Sequence, residues 1–240
     1  MFTVPTTMLA PSVDTYSTEA LQFNGTSQYM TLSAADLQFD WDSTFTISAW
    51  VKPNAGSGGV LYSTRFTYTK GISIAYSDSG ATQYIQILTD TGGDVWTFST
   101  PVVMASGVYS HLCISYNGNH NQDGFRFDVN ATNYTPTTSG IGDWGTTADL
   151  VVGRGYFDIT MFPIHFPGIV DELNFFDAVL TPAQVSGIYN GGKPADVHGH
   201  ANLIHEYRMG EGDTIPTILD HTGSANGITT GSPIIVTDVP

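Results

Sequence analysis

The sequence predicts an all-β protein, a sandwich or barrel of many short strands with one short helix. Three observations lead there. The composition is rich in Gly, Thr, Ser and aromatic residues, and charged residues make up only 12% of the chain, a balance that favours strands and turns over helices. Segment after segment alternates apolar and polar residues with period two. Turn dipeptides stand between the segments: Asn24-Gly25, Gly58-Gly59, Gly92-Gly93, Asn117-Gly118 and Asp123-Gly124.

Taken in order, strands are expected near 20–24, 28–32, 45–52, 59–65, 71–76, 83–89, 94–99, 111–116, 124–130, 148–154, 168–176 and 202–209. In the third, Phe45, Ile47, Ala49 and Val51 share a face, and Trp50 alternates to the other. Leu112, Ile114 and Tyr116 share a face of 111–116. In 168–176 the alternation puts Ile169, Leu173 and Phe175 together, with Asp171 as a polar interruption. The helix follows: Thr181 is the N-cap, Pro182 the first helical residue, and Val185, Ile188 and Tyr189 the apolar face. Asn190-Gly191-Gly192 stops it. Residues 1–18, with weak periodicity, read as an N-terminal arm or linker, 19–240 as one domain, and 191–201 as a surface connection.

Charge and cysteine usage exclude several classes. Lys and Arg total 7 against 22 Asp and Glu, a formal net charge of −15 over 240 residues. Such a chain repels nucleic-acid backbones and anionic membrane surfaces. No apolar run approaches membrane-spanning length. The lone cysteine, Cys113, allows no intrachain disulfide and reads as a small core residue. Met1-Phe2-Thr3-Val4-Pro5-Thr6 has no basic or apolar signal-peptide region, so no export signal is expected.

Four segments in this order resemble the laminin G-like branch of the concanavalin A-like lectins. They are Ala20–Gly25 with Tyr29–Leu32, Phe45–Pro53, His111–Gly118, and Leu150–Gly155 continuing to Gly168–Leu173 and the helix ending Ile188-Tyr189. The last is also similar to the pentraxins. The resemblance implies a jelly-roll sandwich of two antiparallel sheets. Relatives usually begin with an aromatic strand, a Gly-x-Gly turn and an Asp-x-Ser/Thr-Gly segment. Here that pattern stands at the other end, in Leu203–Gly212, Asp220-His221-Thr222-Gly223 and Asn226-Gly227. Two explanations are open: a circular permutation that moves the opening strand to 202–229, which is favoured, or the start of a truncated second copy.

No catalytic residues are assigned. The hydrolase motif of such sandwiches, Glu-x-Asp-x-x-Glu, is missing; the only glutamates are Glu19, Glu172, Glu206 and Glu211. Asp171 and Glu172 are adjacent, so on a regular strand they point to opposite faces and cannot act as a pair. No Gly-x-Ser-x-Gly elbow or phosphate-binding Gly-rich loop is present. His198-Gly199-His200, with Asp196 and His205 nearby, suits zinc or nickel in principle, against which stands the reading of two solvated loop histidines. The resemblance allows a single calcium with no assigned ligands, but not the pentraxin double site, whose acidic cluster is replaced by Arg154–Asp158. For a sugar, Trp144, Tyr156 and Phe157 in Gly-rich loops offer stacking faces, and Arg154 and Asp158 polar contacts; capping of the sandwich or an interface is the alternative role.

These readings lead to a non-enzymatic structural or adhesive component exposed on a virus particle: a bacteriophage head decoration, fibre or tail appendage. Its expected partners are other virion proteins, copies of itself and host-surface glycans. The C-terminal pattern looks like laminin G-like domains of phage structural proteins. The alternatives are a cellular carbohydrate-binding or adhesion module and, less favoured, a glycoside hydrolase.

Overall fold

A computed structural model describes residues 16–33, 42–55, 58–64, 71–78, 83–90, 95–101, 104–120, 122–134, 137–138, 149–155, 165–223 and 225–240. The strands are β1 (Ala20–Asn24), β2 (Tyr29–Leu32), β3 (Thr44–Pro53), β4 (Gly59–Ser63), β5 (Gly71–Asp78), β6 (Gln83–Asp90), β7 (Val95–Pro101), β8 (Ser110–Asn117), β9 (Phe125–Val129), β10 (Thr132–Tyr134), β11 (Thr137–Thr138), β12 (Leu150–Val152), β13 (Pro167–Phe176), β14 (Leu203–Tyr207), β15 (Thr217–Ile218), β16 (Gly227–Thr230) and β17 (Ile234–Val236), with one α-helix, α1 (Pro182–Tyr189), between β13 and β14. The Gly92-Gly93 turn and residues 1–15 of the expected arm lie outside the described residues.

The strands form two antiparallel sheets. One runs β10-β9-β8-β3-β13-β1-β17, with β14 also on β13; the other runs β11-β7-β6-β5-β4-β12-β2-β16-β15. The core lies between them. Phe23, Phe45, Ile114, Phe127 and Phe175 from the first sheet meet Met30, Leu61, Ile74, Tyr76 and Val152 from the second. Each such side chain contributes about 1.5–3 kcal/mol on burial. The alternation in β3 and β8 is as the sequence predicts. The tail enters both sheets: β14 pairs β13, β16 pairs β2 and β17 pairs β1.

The pattern in β13 differs from the expected one. Asp171 stands opposite Trp50, but Asn174 stands opposite Ser48, so β13 takes three steps where β3 takes two. This is a β-bulge, and Glu172 adopts φ 47° within it. The extra residue reverses the alternation: Val170, Leu173 and Phe175 face the core between the sheets, and Ile169 does not join them. The bulge is fixed locally by Glu172 N–H donating to Asp171 Oδ1 (2.8 Å) and Asn174 Nδ2–H donating to the Glu172 carbonyl (2.9 Å).

The far edge of β13 is shared. Its first half, Pro167–Val170, pairs with β1, and its second half, Leu173–Phe176, pairs with β14. The two shorter strands therefore lie end to end, and the bulge falls where one gives way to the other. Gly210, just past β14, is needed there because a Cβ would come within 2.5 Å of the Glu19 Cβ.

Helix α1 closes the outer face of the first sheet. Thr181 and Gln184 form a capping box, and Asn190 ends the helix in the left-handed region. Val185 and Ile188 pack with Cys113, Phe176, Leu180 and Val197. Cys113 is thus buried as expected, beneath the helix. Trp50 faces the same side, its ring 5.8 Å from Tyr189 and 5.4 Å from His111. His111 is fully buried, with Nε2 2.8 Å from Ser48 Oγ. Burial pushes its pKa down to about 4.

Three variants test this packing. A folded-state value below the ordinary 6.5 means that His111 stabilises the fold as neutral imidazole, fully above pH 6.5 and progressively less toward pH 4. Relative to a His111→Phe variant, the wild type should lose on the order of 3 kcal/mol across that window in urea unfolding. In the same assay Gly210→Ala should destabilise by about 1–3 kcal/mol through overpacking. Gly187→Ala, in α1 with no heavy atom within 4 Å of the added Cβ, should stabilise by about 0.5–1 kcal/mol.

Candidate functional site

Three polar regions stand out. The first is a rim of the second sheet where β12 ends and β2 begins. Arg154, immediately beyond β12, makes an isolated β-bridge with His165, which precedes β13. Its guanidinium carbon lies 4.9 Å from the centre of the Tyr29 ring, and the Tyr29 and His165 rings are 6.5 Å apart. All three side chains are partly exposed. Burial, then the charge of Arg154, lowers the pKa of His165. The guanidinium thus covers one face of the Tyr29 ring and the imidazole stands tilted beside it, so two planar polar groups and an aromatic ring meet at partly exposed positions. Of the residues expected to contact a sugar, Arg154 stands here; Trp144, Tyr156, Phe157 and Asp158 lie outside the described residues. The sequence reading passed over Tyr29 and His165. The alternation of β2 offered a signal for Tyr29, because Met30 and Leu32 turn inward and leave it on the outer face.

The second region is a cavity of about 340 Å³ between α1 and the segment before β14, lined by Gln184, Ile188, Asp196, Val197, His198 and His200 among others. It contains the His-Gly-His motif, but the histidines do not converge on one point. His198 Nδ1 is 2.8 Å from Glu206 Oε2, His200 Nε2 is 3.1 Å from Gln184 Nε2, and His205 Nδ1 is 2.9 Å from Asp220 Oδ2. Each imidazole serves a different partner, so the metal reading of this motif is not supported, and neither is full solvation. The hydrogen bond that His198 donates to the Glu206 carboxylate, then the charge of that carboxylate, raises the pKa of exposed His198.

Asp220 organises the loop after β14. It accepts from Glu206 N, Thr222 N, Thr222 Oγ1 and Ala225 N as well as His205. Burial alone would raise its pKa; these hydrogen bonds, that of His205 foremost, outweigh burial and lower it. The Asp-His-Thr-Gly segment therefore acts as a turn-forming device.

The third region is the junction of β1 and β14 at the β13 bulge. Asp171 and Glu172 are 0% and 3% exposed. They do not stand on opposite faces of a regular strand as expected, because the bulge and the positive φ of Glu172 turn both toward Glu211. One oxygen from each of the three carboxylates lies within 4.8 Å of the others. Ser17 Oγ–H donates to Asp171 Oδ2 (2.6 Å), and Glu19 N–H donates to Glu211 Oε1 (3.1 Å). Arg208 reaches Glu172 (3.4 Å) and Glu211 (3.7 Å), lies 4.0 Å from the centre of the Tyr16 ring, and donates to the Tyr16 carbonyl. Tyr16 O–H donates to Glu206 Oε1 (2.6 Å). Residues 16–18 of the expected arm are therefore held against the body. Desolvation raises the pKa of Asp171, and desolvation together with the charge of Asp171 pushes Glu172 up to about 9.

The comparisons bear on the fold. The sequence matches the Laminin_G_3 family, described as the concanavalin A-like lectin/glucanases superfamily, over residues 24–186. No curated protein sequence matches. Among solved structures, a putative carbohydrate binding protein from Bacteroides ovatus superposes with a TM-score of 0.63 at 19% identity, covering 93% of this chain and 61% of that one. The chain thus spans under two thirds of that relative. The heptameric SAP-like pentraxin from Limulus polyphemus superposes with a TM-score of 0.56 at 17% identity, covering 88% and 94%. The enzymatically active domain of tailspike protein 2 of bacteriophage CBA120 gives 0.50 at 15% identity, covering 72% of this chain and 27% of that one.

The His198–Glu206 contact gives a direct test. In an NMR pH titration His198 should show a pKa above the ordinary imidazole value, falling back toward it in Glu206→Gln, where the carboxylate charge is gone.

Proposed function

The chain belongs to the concanavalin A-like lectin/glucanases superfamily, and from that premise we propose that it is a non-enzymatic module that contacts glycans. The observation that carries this reading is the rim of Tyr29, Arg154 and His165, where an aromatic face, a guanidinium and an imidazole meet at partly exposed positions. Sugars are held in this manner, with a ring stacked on an aromatic side chain and hydroxyls taken by planar polar groups. Trp144, Tyr156, Phe157 and Asp158, which lie outside the described residues, remain part of the proposed contact on the sequence alone. The Bacteroides ovatus neighbour, itself described as a putative carbohydrate binding protein, supports the same class.

Hydrolysis fits the chain poorly. A glycosidase holds two carboxyl groups on either side of a sugar in an open site. The close acidic group here is Asp171, Glu172 and Glu211, and the first two are buried within the strand junction, where a sugar cannot lie between them. The Tyr29–Arg154–His165 rim brings no carboxylate pair among its described residues.

Within this class, our finer proposal is a surface component of a bacteriophage particle, in contact with copies of itself, other particle proteins and host glycans. It is supported by the acidic charge of −15, by a core that needs no disulfide, and by a fold shared with a phage tailspike domain. A permuted opening strand at 202–229 belongs to the same proposal; the pairing of β14 with β13 is what such a strand requires.

A glycan array should give binding to a defined set of oligosaccharides with no product released. Tyr29→Ala and Arg154→Ala should each weaken it about tenfold, ~1.4 kcal/mol, without loss of folding. Undiminished binding in both variants would remove the rim from the account, and release of shortened sugars would remove the non-enzymatic assignment. For the finer reading, mass spectrometry of purified particles should detect the chain; its recovery only from uninfected cells would contradict it.

A further inference from the structure

The junction beside the β13 bulge contains a charge imbalance that the glycan rim does not explain. Three carboxylates, Asp171, Glu172 and Glu211, each bring an oxygen within 4.8 Å of the other two. Carboxylate oxygens gathered in this way are the ligand type that calcium takes. One guanidinium, Arg208, faces them and contacts Oε1 of Glu172 and Oε1 of Glu211. The backbone N–H groups of Thr18 and Glu19 also donate to Oε1 of Glu211. The Oε2 atoms of both glutamates are buried and receive no hydrogen bond from the described residues, and Glu172 as a whole is 3% exposed.

A buried carboxylate oxygen without a donor is strongly disfavoured. Two such oxygens in one acidic group, with a single arginine already committed to the opposite oxygens, leave about two negative charges uncompensated when the group is ionised. All the donor atoms are oxygens and no imidazole or thiol is among them, which selects a hard cation over zinc or nickel.

We propose that Asp171, Glu172 and Glu211 hold one hard divalent cation of calcium size at the junction of β1 and β14. Asp171 and Glu172 come from the bulge, and Glu211 follows β14. The ion therefore ties the tail of the chain to the middle of the first sheet, and the Ser17–Glu19 segment packs against the same group. Its role is to fasten the strand junction, distant in function from the rim that contacts glycan.

The test uses the full chain, stripped with chelator and returned to chelator-free buffer at neutral pH. Calcium chloride should raise the thermal midpoint progressively with concentration, as for any ligand that binds only the folded state, and titration calorimetry should give one site. Glu172→Gln should abolish this response. Glu211→Gln, at a partly exposed position and so tolerant of change, should weaken calcium binding by tenfold or more while circular dichroism shows an intact sheet. A midpoint that does not move with calcium would overturn the proposal. So would a response equally strong in both variants, which would mark diffuse binding to an acidic surface.

Discussion

One extra residue in β13 sets the arrangement of the rest. The strand is the centre of the first sheet, flanked along one side by β3 and along the other by two strands that meet end to end. Without the bulge at Asp171–Glu172, the alternation would place either Val170 or Leu173 and Phe175 on the wrong face. With it, β1 and β14 both present their apolar residues to the same core. The bulge thus lets segments separated by most of the chain share one edge, and it draws polar groups from both, Ser17, Glu19, Arg208 and Glu211, to the same place.

This division of labour shapes the functional reading. Asp171 and Glu172, whose carboxyls desolvation raises, sit at a structural seam, and strongly perturbed groups mark ion-pair networks as well as active sites. The partly exposed polar surface lies elsewhere, at the sheet rim bearing Tyr29, Arg154 and His165. A rigid sandwich carrying contact residues at a loop-rich rim is an arrangement suited to recognition.

Much of the fold was legible because period-two alternation is a direct consequence of strand geometry. It placed Phe45, Ile47, Ala49 and Val51 correctly and sent Trp50 to the other face, where α1 covers it. The start of the helix was equally readable, since Thr181 and Pro182 act within one helical turn, whereas the reciprocal bond from Gln184 was not singled out. The β13 bulge was not. Its sequence trace is the three-residue step from Val170 to Leu173, which alternation alone reads as a polar interruption at Asp171. The short strands β15, β16 and β17 were not among the expected strands; they span two to four residues of the tail. At the rim, Arg154 could be named from its Gly-rich loop. Its pairing with Tyr29 and His165 depends on register between β12 and β2, which no local pattern encodes. The histidines of the His-Gly-His motif were separated by partners, Glu206 and Gln184, that only the tertiary structure brings to them.

The central structural claim is that the tail is an integral part of the sandwich, docked at the bulge and indispensable to both sheets. Equilibrium urea unfolding of a chain ending at residue 201 tests it most directly. The account predicts that this truncated chain loses the single cooperative transition of the full protein, because β13 and β2 lose their partners and the Asp171–Glu172 bulge is exposed. A truncated chain that unfolds cooperatively at the midpoint of the full protein would contradict it.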